Sequence, residues 1–294
     1  MAVVTTGFFD GVHLGHRHVL ETVVSSARER GEEAIVVTFW PHPRTVLQQD
    51  ARDFRILSSL EEKKMLLEAN GIDRVEVLPF TKEFAAMKAE DYLRFLRTSY
   101  GATLVVMGYD NRIGSDHLTA SACANLPDFA HRMDFSVLSC AELPDLAHGG
   151  AVSSTQIRHA LEEGDVERAN GMLGYEYGLY GVVVAGNRLG RTIGFPTANM
   201  QLYEPLKLVP LNGVYAVDVE VQGYKYRGMC NIGMRPTVDG KVRTIETHIL
   251  DFDEDIYGLP MQIRFLRRIR DERKFPSLEA LKDQLSKDRQ NIRF

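Results

Sequence analysis

Ala2-Val3-Val4-Thr5-Thr6-Gly7-Phe8-Phe9-Asp10-Gly11-Val12-His13-Leu14-Gly15-His16 reads as a β-branched strand that stops at a glycine and reopens as a helix. Beyond the turn, His18, Val19, Val23 and Ala27 follow helical spacing. Four further β-branched runs, Ala34–Phe39, Val75–Leu78, Thr103–Met107 and Phe135–Leu138, are separated by stretches long enough for helices. One such stretch carries Leu60, Lys64, Leu67 and Ala69 after Ser58, which has capping-box spacing to Glu61. Strands alternating with helices predict a Rossmann-like, doubly wound parallel sheet.

The texture changes at Gly171-Met172-Leu173-Gly174-Tyr175-Glu176-Tyr177-Gly178-Leu179-Tyr180-Gly181, rich in glycine and tyrosine. Past it, Tyr180–Ala185, Gly213–Val221, Tyr224–Ile232, Thr244–Leu250 and Met261–Leu266 read as strands in hairpin order, with Gln222-Gly223 as a tight turn. Tyr215, Val217, Val219 and Val221 share one face of their strand while Asp218 and Glu220 take the other. The predicted fold class is therefore α/β plus β. Residues 1–172 form the Rossmann-like domain, and residues 173–294 form a small antiparallel β-barrel closed by a helix from Ser277 onward.

A chain of 294 residues is long enough for two such cores. With 44% hydrophobic and 26% charged residues it has the balance of a globular protein, and no apolar run has bilayer length. The sequence opens without a secretory pattern, so the expectation is a cytoplasmic protein with no membrane partner. Cys123, Cys140 and Cys230 are too scattered for a disulfide framework or a zinc cluster. A net charge of -5 gives no general attraction to nucleic acid, so a phosphate-bearing partner should be small and locally held.

The turn Gly7–His16 lies where open α/β sheets bind ligands. Gly7, Gly11 and Gly15 let backbone amides approach phosphates, the helix N-terminus attracts anions, and His13 and His16 supply imidazole donors. A metal-binding histidine pair is the alternative reading, although no third ligand is placed by the sequence. Pro41 and Pro43 stiffen the loop around His42, which serves as punctuation or as the wall of a ring-binding pocket. At Ser153-Ser154-Thr155-Gln156-Ile157-Arg158, Ser153 and Gln156 have capping-box spacing, and Ser154, Thr155 and Arg158 can surround phosphate oxygens. In the second half, Gly186-Asn187-Arg188-Leu189-Gly190-Arg191-Thr192-Ile193-Gly194-Phe195-Pro196-Thr197-Ala198-Asn199 combines a glycine-spaced loop and two arginines with Thr197 and Asn199, oxygen donors suited to Mg²⁺. Strand alternation puts Glu246 and His248 on one face and Ile245 and Ile249 on the other.

Gly7–His16, together with Thr38–Pro43, Val106–Gly114 and Ser153–Arg158, resembles the flavin adenylyltransferase module of prokaryotic riboflavin kinase/FAD synthetases. Gly186–Asn199, and above all Gly194-Phe195-Pro196-Thr197-Ala198-Asn199, resembles the signature of riboflavin kinases. The resemblance implies that Gly7, Phe8, Phe9, Asp10, Gly11, Gly15, Asp110, Arg112, Ser154, Thr155 and Arg158 hold the nucleotide around His13 and His16, with Pro41 and His42 on FMN. It further implies that Gly186, Gly190, Arg191, Gly194, Phe195, Pro196, Asn231 and Arg235 frame nucleotide and flavin, that Thr197 and Asn199 hold Mg²⁺, and that Glu246 is the general base. Asn111 and Ile113 depart from the family, which commonly has aromatic or bulkier residues there.

The implied function is bifunctional. Riboflavin and ATP give FMN and ADP at the barrel, and FMN and ATP give FAD and pyrophosphate at the sheet, with flavoproteins receiving the product. The chemistry suits the residues. An alcohol must lose a proton to a base, whereas the FMN phosphate, with a second pKa of about 6, is already anionic. Two rivals are a related nucleotidyltransferase with another acceptor, which the kinase-like half disfavours, and a non-enzymatic flavin-binding regulator, which the intact site residues disfavour.

Overall fold

The computed structural model describes residues 1–47, 53–119, 122, 135–141, 152–186, 189–237 and 240–292. Cys123, Asn187 and Arg188 lie outside them. The chain forms two compact units, Met1–Ser154 and Thr155–Phe294.

The first unit contains β1 (Ala2–Thr6), α1 (Leu14–Arg30), β2 (Glu33–Trp40), α2 (Pro43–Leu47), α3 (Leu60–Ala69), β3 (Arg74–Pro79), α4 (Lys82–Ala85), α5 (Ala89–Tyr100), β4 (Ala102–Met107), the short strands β5 (Arg112–Ile113) and β6 (Leu118–Thr119), and β7 (Ser136–Ser139). Its main sheet has the order β3-β2-β1-β4-β7, and every pairing in it is parallel. Such a sheet is covered on both faces, which is why β1 reads as an unbroken buried run. Val3, Val36, Leu104 and Val106 pack under Leu20, Val23 and Ala27 of α1 and Leu67 of α3. On the opposite face, Val4, Val37, Val105 and Met107 pack against Tyr92, Leu93 and Leu96 of α5. Strand order reverses at β1, with β2 on one side and β4 on the other, so the turns after β1 and β4 open on a shared crevice at the strands' carboxyl ends.

Leu20, not His18, completes the buried face of α1 with Val19, Val23 and Ala27. The helix stops at Gly31, whose φ of 65° is left-handed. The capping box of α3 lies one residue later than its spacing suggested. Ser59 caps Glu62 N, and Glu62 returns a bond from Ser59 N. Ser58 is instead drawn into the site described below.

The second unit contains α6 (Ser154–Glu163, its first residue shared with the first unit), α7 (Val166–Leu173), β8 (Gly178–Val184), α8 (Leu189–Thr192), β9 (Ala198–Leu202), β10 (Gly213–Val221), β11 (Tyr224–Thr237), β12 (Gly240–Ile249), β13 (Pro260–Arg270) and α9 (Leu278–Ile292). Six antiparallel strands close in the order β10-β11-β12-β9-β8-β13. Gln222 and Gly223 have φ of 54° and 80°, so both central turn residues are left-handed, as a tight hairpin requires. Tyr215, Val217, Val219 and Val221 are buried as expected, and Asp218 and Glu220 are half-exposed. Ala216, facing the other way, is covered together with Met229 and Leu250 by Ile292 of α9. The α9 helix is tied down by Asp288, 1% exposed, which pairs with Arg270 at 2.9 Å and accepts from Gln284 at 2.7 Å.

Helices α6 and α7 pack with the barrel. Leu211 N donates to Leu161 O at 2.9 Å, Asn170 Nδ2 to Phe265 O at 2.8 Å, and Tyr177 N to Asn170 Oδ1 at 2.7 Å. The change in composition near Gly171 thus falls after two helices that belong with the second unit by contact.

Candidate active sites

The turn after β1 is held in an unusual shape from beneath. Phe9, Gly11 and Val12 have φ of 49°, 81° and 36°. A left-handed β-branched valine costs on the order of 1–3 kcal/mol and persists only where the surroundings enforce it. Here Asp10 does so. Its carboxylate, buried to 5% exposure, accepts from Leu57 N at 2.9 Å and Ser58 N at 3.1 Å, while Ser58 Oγ accepts from Gly11 N at 3.0 Å. Ser154, the first residue of α6, donates its hydroxyl to Asp10 O at 2.9 Å. The Asp10 side chain is thereby committed to the protein, as are the Gly7, Gly11 and Val12 amides, which donate to Val37 O, Ser58 Oγ and Phe9 O.

His13 caps α1, its Nδ1 accepting from His16 N at 3.4 Å, and the two imidazoles stack with centroids 3.7 Å apart. Burial first, then His13 and then Lys63, hold the His16 pKa well below the usual histidine value. His16 Nδ1 is enclosed and has no partner among the described residues. His16 thus places an imidazole, held towards its neutral form, beside the N-terminus of a 17-residue helix, the end that favours negative charge.

Gly15 lies under the His13 ring, where a Cβ would approach Cε1 to 3.2 Å. In the turn after β4, Asp110 and Arg112 are exposed, and Asn111 donates to Thr6 O at 2.6 Å. Ile113, the other departure from the family pattern, is buried in the α5-side core. Pro41 and His42 follow β2, and the His42 ring lies 5.3 Å from Phe8 and 4.5 Å from Phe54, making an aromatic wall. Thr155 and Arg158 follow Ser154 on α6. Sequence reading missed Phe54, Ser58 and Lys63. Lys63 is 4% exposed and donates to Phe8 O at 3.1 Å, Thr38 Oγ1 at 3.2 Å and Phe39 O at 3.4 Å. Its one audible signal was its place four residues before the buried Leu67.

In the barrel, Glu246 sits on β12 directly between Asn199 of β9 and Asn231 of β11. Thr197 Oγ1 donates to Glu246 Oε2 at 3.4 Å. Four oxygen-bearing side chains, Thr197, Asn199, Asn231 and the carboxylate Glu246, are therefore neighbours, a donor set that fits a hard cation sharing its sphere with water and phosphate oxygens. Gly186 is required beside them, because a Cβ there would lie 2.2 Å from Asn199 Nδ2. The preceding loop closes on itself: Phe195 N donates to Gly190 O at 2.8 Å, and Gly194 has φ of 83°. His248 fixes the other side, its Nδ1 2.8 Å from Pro196 O and its ring 5.1 Å from Phe195. Burial lowers the His248 pKa, against the raising effect of that bond.

Asn231, Gly233 and Arg235 share one face of β11 by alternation. Gly233 is pressed against Glu272, whose Oε2 accepts from Asn212 Nδ2 at 3.2 Å. Arg191 is exposed on α8 and lines a pocket with Pro196, Thr197, Asp253, Asp255 and Tyr257. The 252–257 segment carries no motif that sequence reading had singled out. It reaches the site by following the strand that bears Glu246.

Residues 1–156 match the FAD synthetase family and residues 173–294 the riboflavin kinase family. The bifunctional riboflavin kinase/FMN adenylyltransferase of Bacillus subtilis (strain 168) is 37% identical over 292 residues, 98% of this chain and 90% of the relative. That of Escherichia coli (strain K12) is 35% identical over 288 residues, 97% and 90% respectively. A crystal structure described as a macrolide-efflux protein from Streptococcus pneumoniae is 35% identical, with a TM-score of 0.91 over 99% of this chain and 93% of the other. With both modules matched in order along one chain and each match falling on a formed site, the protein belongs to the bifunctional riboflavin kinase/FMN adenylyltransferase family.

Proposed function

We propose a residue-level division of labour for this enzyme, which phosphorylates riboflavin to FMN with ATP and adenylylates FMN to FAD with release of pyrophosphate. At the barrel, Glu246 takes the proton of the ribityl hydroxyl as it attacks the γ-phosphoryl group. The observation that carries this role is the placement of Glu246 between Asn199 and Asn231 with Thr197 in contact. Thr197 and Asn199 are the side chains that would hold Mg²⁺, whose chemistry is to neutralise charge on the transferred group. Gly186, Gly190, Arg191, Gly194, Phe195 and Pro196 form the phosphate loop, the 252–257 pocket beside Thr197 takes the nucleotide, and Asn231 and Arg235 face the flavin.

At the sheet, no base is required, because the attacking FMN phosphate is already anionic. Backbone amides of the Gly7–Gly15 turn other than those of Gly7, Gly11 and Val12, with His13, His16, Ser154, Thr155 and Arg158, stabilise charge on the α-phosphoryl group and departing pyrophosphate. Asp10 serves by shaping the turn, Asp110 and Arg112 border the nucleotide, and Pro41 and His42 border FMN. The stacked His13 and His16 imidazoles at the N-terminus of α1 carry this assignment.

A 172/173 module boundary fits the start of the kinase match. Two buried free thiols, Cys140 and Cys230, suit a reducing compartment, and we place the enzyme in the cytoplasm with flavoproteins as recipients of its product. No described helix is long and apolar enough to cross a membrane. Incubation with ATP and Mg²⁺, supplying riboflavin or FMN separately, tests the assignment. It predicts ADP and FMN from the first and pyrophosphate and FAD from the second, and ADP without FAD contradicts it.

A further inference from the structure

Lys63 is an expensive residue for the fold to keep. It is almost wholly enclosed, and its ammonium bonds among the described residues go to neutral oxygens: the Phe8 carbonyl, the Thr38 hydroxyl and the Phe39 carbonyl. The carboxylate that acts on it, Asp10, is already committed to the Leu57 and Ser58 amides. The Trp40 ring lies 5.6 Å from its Nζ. A methionine would fill the same space without removing a charge from water, and buried charges replaced by well-packed apolar groups generally leave stability unchanged or improved.

What a methionine could not do is donate to both the Phe8 and the Phe39 carbonyl, the first of which also accepts from Thr38 Oγ1 at 3.3 Å. Phe8 belongs to the turn after β1, and Phe39 lies near the end of β2, just before the Pro41-His42 loop. The Phe8–Phe9 peptide is planar, so a Phe8 carbonyl held inward by Lys63 aims the Phe9 N–H away from the protein interior. Phe9 then turns into the left-handed region with φ of 49°, and the neighbouring Gly7, Gly11 and Val12 amides are bonded to Val37 O, Ser58 Oγ and Phe9 O. The same ammonium fixes where the loop bearing His42 departs from β2. We propose that Lys63 is a positioning residue of the adenylylation site, which sets the Phe9 amide toward the nucleotide phosphates and locks the phosphate turn in register with the flavin-side loop. Burial pushes Lys63 down to about 8, and its charge contributes to keeping His16 neutral, in line with a group placed for the site rather than for the fold.

The inference rests on reading the Gly7–His16 turn as the adenylylation site, and the test separates the two. The full chain is prepared as Lys63→Met, Lys63→Gln and His16→Ala. FAD formation from FMN and ATP is measured as kcat and both KM values, with riboflavin phosphorylation and thermal unfolding alongside. In Lys63→Met the expected result is a fall of about tenfold or more in kcat/KM for adenylylation, since an amide displaced by a fraction of an ångström loses much of its effect. Riboflavin phosphorylation stays parental and the unfolding midpoint does not fall. Lys63→Gln, which restores an N–H donor, recovers part of the loss. Parental FAD formation in Lys63→Met, or a loss that tracks a lowered unfolding midpoint, would overturn the proposal. His16→Ala with parental FAD formation would instead overturn the reading of the turn.

Discussion

Replacing Gly186 by alanine adds one methyl group to the kinase site at the point where the chain passes Asn199. The added Cβ would lie 2.2 Å from Asn199 Nδ2, 2.6 Å from Cγ and 2.9 Å from Oδ1, so the whole amide must move. Ordinary contact begins near 3.4 Å, which leaves a deficit of about 1.2 Å for the nearest atom. Asn199 can swing aside, and the backbone at Gly186 is not left-handed, so the variant folds; alanine even restricts the unfolded chain, by about 0.4–1 kcal/mol. Asn199 leaves its place beside Glu246, however, and a misplacement of about 1 Å costs roughly a hundredfold in rate, or about 2.7 kcal/mol of transition-state stabilisation. Steady-state phosphorylation of riboflavin by Gly186→Ala should fall by that factor with FAD formation from FMN unchanged. In an Asn199→Ala background the same substitution should cost nothing further, because the group it displaces is gone. Parental kinase activity in Gly186→Ala, or full additivity of the two losses, would refute the placement of Asn199 in the site.

Other consequences are open to measurement. Asp288→Ala strands Arg270 beneath α9 and should destabilise the barrel unit by about 3 kcal/mol, read as a lower denaturation midpoint at unchanged denaturant slope. The pH dependence of the sheet unit should carry the mark of His16. Its folded pKa is depressed, so the unfolded chain binds the proton first and stability is lost as pH falls below the ordinary value near 6.5. Parent minus His16→Asn should show that loss with a slope of up to about 1.4 kcal/mol per pH unit; a difference flat between pH 7 and pH 5 contradicts the neutral, enclosed imidazole.

Much of this was legible because local chemistry and tertiary demand agreed. The strand–glycine–helix pattern of Ala2–His16 specifies a parallel sheet whose ligand crevice lies at that turn, and Gln222-Gly223 specifies a hairpin by conformation alone. The α3 cap was not legible, because Ser58-Ser59 and Glu61-Glu62 offer two equivalent registers. Only the need of Asp10 and Gly11 for Ser58 leaves Ser59 as the cap. Lys63 drew no reading from the sequence, since nothing local reveals that its face turns toward the Phe8 and Phe39 carbonyls. For Asp10 the motif gave the position but not the direction of the carboxylate, which is inward. Strand β9 begins with the last two residues of the Gly194–Asn199 signature, which hid it, and the 252–257 pocket depends on a barrel closure that no single segment encodes.

Segregation of the two chemistries is tested most directly by crossing two variants with two substrates. Glu246→Gln and His16→Ala are each given ATP and Mg²⁺ with riboflavin or with FMN, and FMN and FAD are quantified by chromatography. Glu246→Gln should lose at least about a hundredfold in FMN formation yet convert supplied FMN to FAD at the parental rate. His16→Ala should accumulate FMN from riboflavin and make little FAD from either substrate. Equal loss of both activities in either folded variant would contradict a division between the histidine turn and the glutamate barrel.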